Sequence, residues 1–442
     1  MNKIAGAALA PASSLLLAAN AWAAGFEIRE QSGFGQALSF AGAAVFPDPS
    51  GQFFNPATLV LNEGHQANAN LSIIIPRAEL VDAEASTITG APITGVFGND
   101  IGTDAAVPAV YGTAQFDRVY AGLGITAPFG LTTENVPDGI TRYHGTFSQL
   151  ITINVNPNLA YRVNKLLSLG AGAQIQYADA DLRNAIDFGT IGAVAGVPGA
   201  IPTAQDGFAR VSGDDFSAGF TLGAMLEPTE STRVGVGFRS SVTHELSGSA
   251  DFTLDDAGIG AALSAATGQF VDGGIDADLT VPALLYVGVS QDLTNSLTLF
   301  GTFEWTDWSR FDDLVIEFDN PAEPDSITEE NWNDSFFVSL GSAYQATEGV
   351  GLKFSVAFDQ SPIPDSTRTP RVPGNNRYWI SAGVDWKPFT GATLGVGYSR
   401  IFLEDGEINL TTAGVGNTFR GNLSGSYESD IDIVTLYGKV AF

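Results

Sequence analysis

The chain has 442 residues, 51 of them Gly and none Cys, with 20 basic against 49 acidic residues and a net charge of −29. That balance excludes a nucleic-acid surface. The lack of Cys excludes a disulfide framework and suits a chain that crosses an oxidising compartment.

Met1–Ala23 carries one charge, Lys3, then an apolar stretch around Leu15–Leu17, and ends in Ala21-Trp22-Ala23. This predicts a secretory signal peptide with an A-x-A cleavage site. The apolar core is too short for a membrane anchor and contains Pro11. No later stretch is apolar enough for a spanning helix, so the exported chain is either soluble or a barrel.

Residues 24–64 are rich in Gly and small residues, with Pro47, Pro49 and Pro56 breaking any regular element. Six Phe residues (Phe26, Phe34, Phe40, Phe46, Phe53 and Phe54) argue against a disordered tail.

From about residue 65 the pattern changes to period-2 alternation. Leu167, Leu169, Ala171, Ala173 and Ile175 alternate with Ser and Gly or Gln; Leu352, Phe354, Val356 and Phe358 alternate with Lys353, Ser355, Ala357 and Asp359. About fourteen such segments start near His65, Ala105, Arg118, Gln149, Leu166, Gly207, Thr232, Ile275, Ser296, Asp334, Gly349, Arg377, Gly391 and Ser426. Short turns, as at Asp117, Asn164-Lys165 and Thr347-Glu348, alternate with long connections: Val81–Asp104, Asp181–Asp206, Gly248–Gly274 and Arg310–Asn333. A soluble sandwich has no reason to sort its loops this way. A transmembrane antiparallel barrel does, with turns in the periplasm and loops outside. The last segment alternates up to Phe442, an aromatic ending that predicts the closing strand of an outer-membrane barrel. A lumen of this size is too wide for its own side chains to fill, so residues 24–64 are expected inside it as a hatch. The predicted organisation is a signal peptide over 1–23, a hatch over 24–64 and an all-β barrel over 65–442.

Several segments resemble one family. Ala24-Gly25-Phe26, Gly33-Phe34-Gly35-Gln36-Ala37 and Asn55-Pro56-Ala57 look like the hatch of the FadL/TodX outer-membrane transporters of long-chain fatty acids and hydrocarbons. Phe358-Asp359-Gln360-Ser361-Pro362-Ile363-Pro364 and Arg377-Tyr378-Trp379-Ile380-Ser381-Ala382-Gly383 are similar to it too, in the same order. The resemblance implies fourteen strands, a hatch in the lumen, and lateral release of substrate through a gap at a kinked third strand. This chain supplies a physical reason for such a kink. Pro128 cannot donate a ladder hydrogen bond, and Gly130 weakens pairing on the far side of Phe129. The alternative is that the strand simply ends at Ala127.

Candidate contact residues follow. A substrate pocket is expected near Phe26, above a hatch tied down at Asn55, Pro56 and Ala57. The uncharged loop from Phe188 to Gln205 offers Phe188, Ile191, Val194, Val197 and Ile201, and the next long loop offers Ile259 and Leu263. Two apolar outer loops predict an exposed capture patch, or a lid if they pack on each other. Arg183 is the candidate partner for a carboxylate, with Asp181 and Asp187 as competing partners. From Asp312 to Asp334 there are nine acidic residues and no basic one, read as a solvated face.

Catalysis finds little support: of the three His (His65, His144 and His244), His144 lies four residues from Ser148, a spacing common by chance, and G-x-S-x-G is absent. No cofactor or metal is expected. The expected partners are hydrophobic small molecules, outer-membrane lipid and lipopolysaccharide, with the protein a monomer. The reading is a passive outer-membrane channel: molecules bind the outer loops, reach a pocket above the hatch, and leave sideways once the hatch shifts. A diffusion porin for polar solutes and a surface receptor or adhesin are the alternatives.

Overall fold

A computed structural model describes residues 25–442. The expected signal peptide lies outside the described residues. Among the described residues no helix is long and apolar enough to cross a membrane.

The alternating segments form one closed antiparallel wall of fourteen strands. They are β1 (His65–Ser86), β2 (Ala105–Phe116), β3 (Val119–Thr126, resuming as Gly130–Glu134), β4 (Phe147–Arg162), β5 (Leu167–Asp187), β6 (Asp206–Thr229) and β7 (Thr232–Arg239, resuming as Val242–Thr253). Then come β8 (Gly273–Val281, resuming as Leu284–Asp292), β9 (Leu297–Thr306, resuming as Asp313–Phe318), β10 (Ser326–Glu329, resuming as Ser335–Thr347), β11 (Val350–Asp359), β12 (Arg377–Trp386), β13 (Ala392–Leu403, resuming as Gly406–Leu410) and β14 (Asn422–Ala441). Each strand pairs with its sequence neighbours, and β14 pairs with β1 from Ala441 opposite Gln66 to Asn422 opposite Ser86. The Phe442 amide donates to the His65 carbonyl at 3.0 Å, so the ring is closed to its last residue.

The two faces of the wall differ as the alternation requires. Leu340, Phe354, Val396 and Leu436 point outward and are exposed, while Ser339, Ser355, Ser399 and Thr435 of the same strands point inward and are buried. An apolar belt running around the whole molecule exceeds any patch a soluble monomer carries; its natural solvent is hydrocarbon.

The strands run further than the sequence pattern suggests. The connections expected to begin at Val81, Asp181 and Gly248 instead continue as strand to Ser86, Asp187 and Thr253, and the acidic stretch after Arg310 contains a hairpin, Asp313–Phe318 against Ser326–Glu329. Above the membrane the ladder meets water on its outer face, so apolar alternation stops while hydrogen bonding does not.

Residues 25–64 hold two short helices, α1 (Gly33–Gln36) and α2 (Gly51–Phe54), and two 3₁₀ turns. Ser32 caps α1 by accepting from the Gly35 amide. Asn55 caps the turn Pro56–Leu61 by accepting from the Ala57 amide at 2.9 Å, with Pro56 at its first position, where a missing N–H costs nothing. The segment's hydrogen bonds reach the wall all round: Gly33 to Asn70 of β1, Tyr111 of β2 to Gln31, Arg162 of β4 to Val60, Asn55 to Ala224 of β6, Gly42 to Thr302 of β9, Ser39 to Ser381 of β12 and Gln36 to Ser399 of β13. A segment bonded to strands on every side lies inside the ring. A Cβ on Gly223 would overlap the Asn55 amide oxygen, and one on Gly237 the Phe54 carbonyl, so these wall glycines are the sockets that let the backbone of the inner segment approach.

The belt makes a quantitative prediction. Leu340→Arg places a charge on the lipid face near mid-strand and should destabilise the barrel by about 2–4 kcal/mol in denaturant unfolding from phospholipid vesicles. Val415→Arg, on an exposed loop, should change stability little.

Candidate functional site

The third strand is interrupted. Thr126 pairs with Asn154 and Gly130 with Ile151, so three residues on β3 stand against two on β4, and Ala127–Phe129 fall out of register. On the other side, β2 pairs with β3 only as far as Val110 opposite Ile125. Ala105–Ala109 of β2 bond to β1 and have no ladder partner on β3. The wall therefore has a seam between β2 and β3, bordered by Ala127, Pro128, Phe129 and Gly130.

The start of the inner segment backs this seam. The Ile28 amide donates to the Pro128 carbonyl at 2.8 Å, and the Gly130 amide donates to the Phe26 carbonyl at 2.8 Å. The Gln31 side chain donates to the Ala127 carbonyl at 2.7 Å and accepts from the Ala127 amide at 3.1 Å. Phe26–Gln31 thus acts as a strap whose polar groups stand in for the missing β2 partners.

Ionic contacts hold the strap. Arg29 is buried and bonds Glu304 at 2.7 Å, Asp359 at 3.0 Å and Glu27 at 3.1 Å, with its guanidinium 4.4 Å from the Phe337 ring centre. Arg377 adds a contact to Asp359 at 3.4 Å. One step before, Phe26 packs against Trp308, Phe311 and Trp332 at ring-centre distances of 4.7, 5.3 and 5.6 Å. Gly25 has φ +71°, and a Cβ there would come within 2.5 Å of Trp332 and 2.7 Å of Trp308, so no other residue fits.

Above Phe26 lies an apolar cavity of about 100 Å³ with Leu131, Leu150, Leu246, Leu279 and Phe311 in its lining. It shares Leu182, Val211, Leu314, Ile316, Glu330 and Arg371 with a second cavity of about 360 Å³ that extends under the outer loops. Together they lead from the loops to the strap. On the turn side of the inner segment a polar recess of about 320 Å³ ends at Phe34. There Lys353 Nζ sits 3.8 Å from the Phe34 ring centre and donates to Asp385 at 2.8 Å and to the Tyr437 hydroxyl at 2.7 Å.

The cations that line the cavities are not the one expected, and the larger cavity also carries Asp187, Glu323 and Asp325. Arg183 forks onto Asp181 at 2.9 and 2.8 Å and lies 4.6 Å from the Phe147 ring centre, with its side chain 45% exposed. It lines neither apolar cavity. Arg371, from the loop between β11 and β12, lines both and donates to the Phe147 carbonyl at 2.9 Å and to Ser148 Oγ at 2.7 Å. Arg420 joins it in the larger cavity, and among the described residues neither makes an ion pair. Glu330 lies on the same lining; burial pushes its carboxyl up to about 8, so it is protonated at neutral pH. Burial, with Arg420 nearby, lowers the Arg371 guanidinium, which keeps its proton at neutral pH all the same.

The outer loops form a lid more than an open patch. Phe188–Ala195 is helix α3, capped by Asp187, which accepts from the Thr190 amide at 2.8 Å; Ile259–Thr267 is helix α4. Phe188, Ile259 and Leu263 are buried against each other, with Ile191 and Val197 packed on them. The expected exposure holds only for Val194 and Ile201, at 56% and 58%. An apolar face on each helix is better satisfied by the other helix than by water. Ile191 also lines the larger cavity, so the lid's inner side is its ceiling. Asn55 Nδ2 donates to the Ala44 and Ala224 carbonyls at 2.8 and 3.1 Å, which fixes the Asn55-Pro56-Ala57 turn to β6. His144 is buried, and Ser148 Oγ accepts from Arg371.

The chain matches the family described as outer membrane protein transport protein (OMPP1/FadL/TodX) over residues 14–442. A putative outer membrane protein of Neisseria meningitidis serogroup B is 30% identical over 443 residues, covering 95% of each chain. The long-chain fatty acid transport protein of Escherichia coli strain K12 is 26% identical, covering 89% of this chain and 91% of that one. Among solved structures, a Pseudomonas aeruginosa FadL homologue superposes with a TM-score of 0.87 at 24% identity over 95% of this chain and 100% of that one. The Pseudomonas putida toluene transporter TodX gives 0.68 at 16% identity over 94% and 99%. These last two show the likeness of fold.

Removing the strap's anchor is the direct test of this geometry. Arg29→Met leaves Glu304 buried without its cation and Asp359 with Arg377 alone, and should cost about 3–5 kcal/mol locally. Hydrogen exchange should then show loss of protection at Ile28 and Gly130, with β14 unchanged.

Proposed function

Because the chain belongs to the OMPP1/FadL/TodX family of outer membrane transport proteins, we propose that it takes up amphipathic hydrocarbons, long-chain fatty acids first among them, and releases them sideways into the membrane. The lid admits the molecule to the larger cavity. Its chain descends into the apolar cavity and reaches Phe26. Displacement of the strap then opens the seam at Pro128, Phe129 and Gly130, while the rest of the hatch stays docked. No energy source is needed, since apolar surface moves from water to hydrocarbon.

The single observation that carries this reading is that the apolar cavity ends on Phe26, and Phe26 is itself hydrogen-bonded to Gly130 at the edge of the seam. A ligand that moves one must move the other. A polar-solute porin would need a water-filled constriction, whereas the inner segment here is bonded to the wall on all sides. Arg371 and Arg420 favour a ligand with a carboxylate over a bare hydrocarbon, because each is a half-buried cation without an ionic partner among the described residues.

Two experiments follow. Restoring a regular strand with Pro128→Val and Gly130→Thr should leave the barrel assembled and the cavity able to bind, while uptake of a long-chain fatty acid falls severalfold. Uptake at the parent rate would rule out the lateral route. The second concerns pH. Glu330 is neutral below about pH 8 and ionises above it, adding an internal carboxylate beside Arg371. Binding of a long-chain carboxylate, read from the fluorescence of Trp308 and Trp332, should weaken between about pH 7 and about pH 9. Binding of the matching neutral alcohol should not, and Glu330→Gln should remove the difference.

A further inference from the structure

The outer wall carries a groove where the seam ends. It has a volume of about 580 Å³ and spans the lipid-facing side from β13 to β3. Ala67, Ala69, Gly112 and Gly438 form its floor, and Val110 and Ile125 bound it toward the seam. Those two residues are the last β2–β3 pair before the ladder stops. The groove therefore begins where the opening does and runs toward the turn side, where Phe389 lies at its rim.

Gly112 sets this groove apart from ordinary belt surface. It lies inside β2, in unbroken register with both β1 and β3, so no bulge accounts for it. Its φ is not in the left-handed region, so no backbone strain demands Gly. A Cβ built on it would meet no atom within 4 Å. Among the described residues it is the only glycine inside a wall strand of which that is true. The wall glycines Gly223 and Gly237 face the hatch and make room for its backbone. A strand glycine with no packing or conformational reason inside its own chain marks a place where something else approaches closely.

We propose that this groove receives the hydrocarbon chain of the departing substrate, and this rests on the lateral route proposed above. The occupant is one alkyl chain lying along β1 and β2. The argument is continuity: the groove shares Val110 and Ile125 with the edge of the seam, its floor is Ala and Gly, and its lining is apolar. A chain leaving tail-first past Phe26 and Pro128 meets this surface first, while Arg371 and Arg420 still lie on the loop side of the strap.

The test fills the groove without touching the lumen. Gly112→Leu projects a side chain into open space and should fold, and Ala171→Leu on the lipid face of β5 serves as the matched control. With a 16-carbon fatty acid carrying a terminal diazirine, the parent should crosslink at Ala67, Ala69 or Gly112 in excess over Ala171. Gly112→Leu should abolish that excess and lower uptake severalfold, with lumen binding unchanged. Equal crosslinking at both faces, or parent uptake by Gly112→Leu, would overturn the proposal. The Pro128→Val, Gly130→Thr variant separates the two readings. If it stops uptake while Gly112→Leu does not, the groove is wrong and the lateral route stands; if it transports normally, the lateral route itself is wrong.

Discussion

A broken strand in hydrocarbon is costly because nothing there replaces a lost backbone partner. β3 breaks at Pro128, and the structure answers with Phe26–Gln31, whose amides and carbonyls bond Ala127, Pro128 and Gly130 from inside. Everything functional depends on that substitution. The seam can exist because the strap satisfies it, and the lateral route proposed above rests on the strap belonging to the inner segment and not to the wall.

The rest of the inner segment is held differently. Its core is pinned by many neutral hydrogen bonds to β1, β6, β9, β12 and β13 and by close glycine sockets, so displacing it would break many contacts together. The strap hangs on one aromatic cluster around Phe26 and one ionic cluster around Arg29. A buried ion pair is a poor source of net stability but a strong determinant of place. On the proposed route a ligand moves those six residues and leaves the seal below them intact.

Much of the fold could be read from the chain. Alternation located all fourteen strands, because lipid and lumen impose opposite polarity on successive residues. It could not locate strand ends beyond the membrane, where water faces the ladder and the alternation fades, as on β5 up to Asp187. Arg183 pairs with Asp181, one of the two competing partners the sequence offers, and alternation accounts for it: continuing outward from Leu169 and Ile175 by twos reaches Asp181 and Arg183, on the outer face. Arg371 could not have been found in this way, since its loop has no period and only the folded loop brings it over the lumen. Phe188, Ile259 and Leu263 were recognised as apolar and adjacent to function, but only the pairing of α3 with α4 shows that they face each other. Pro128 and Gly130 signalled a break; that Phe26 and Ile28 would satisfy it is a contact across about 100 residues, which no local pattern carries.

The central claim is that cargo leaves past the strap while the body of the hatch stays docked. Ser39 and Ser381 offer a direct way to hold it there, because their hydroxyl oxygens lie 2.6 Å apart across the hatch–wall contact and the chain has no other Cys to interfere. Ser39→Cys with Ser381→Cys should form a disulfide in the oxidising periplasm. Uptake of a long-chain fatty acid by cells carrying the oxidised pair should match the reduced pair. If oxidation stops uptake and a reductant restores it, the hatch itself must move and cargo passes through the lumen into the periplasm.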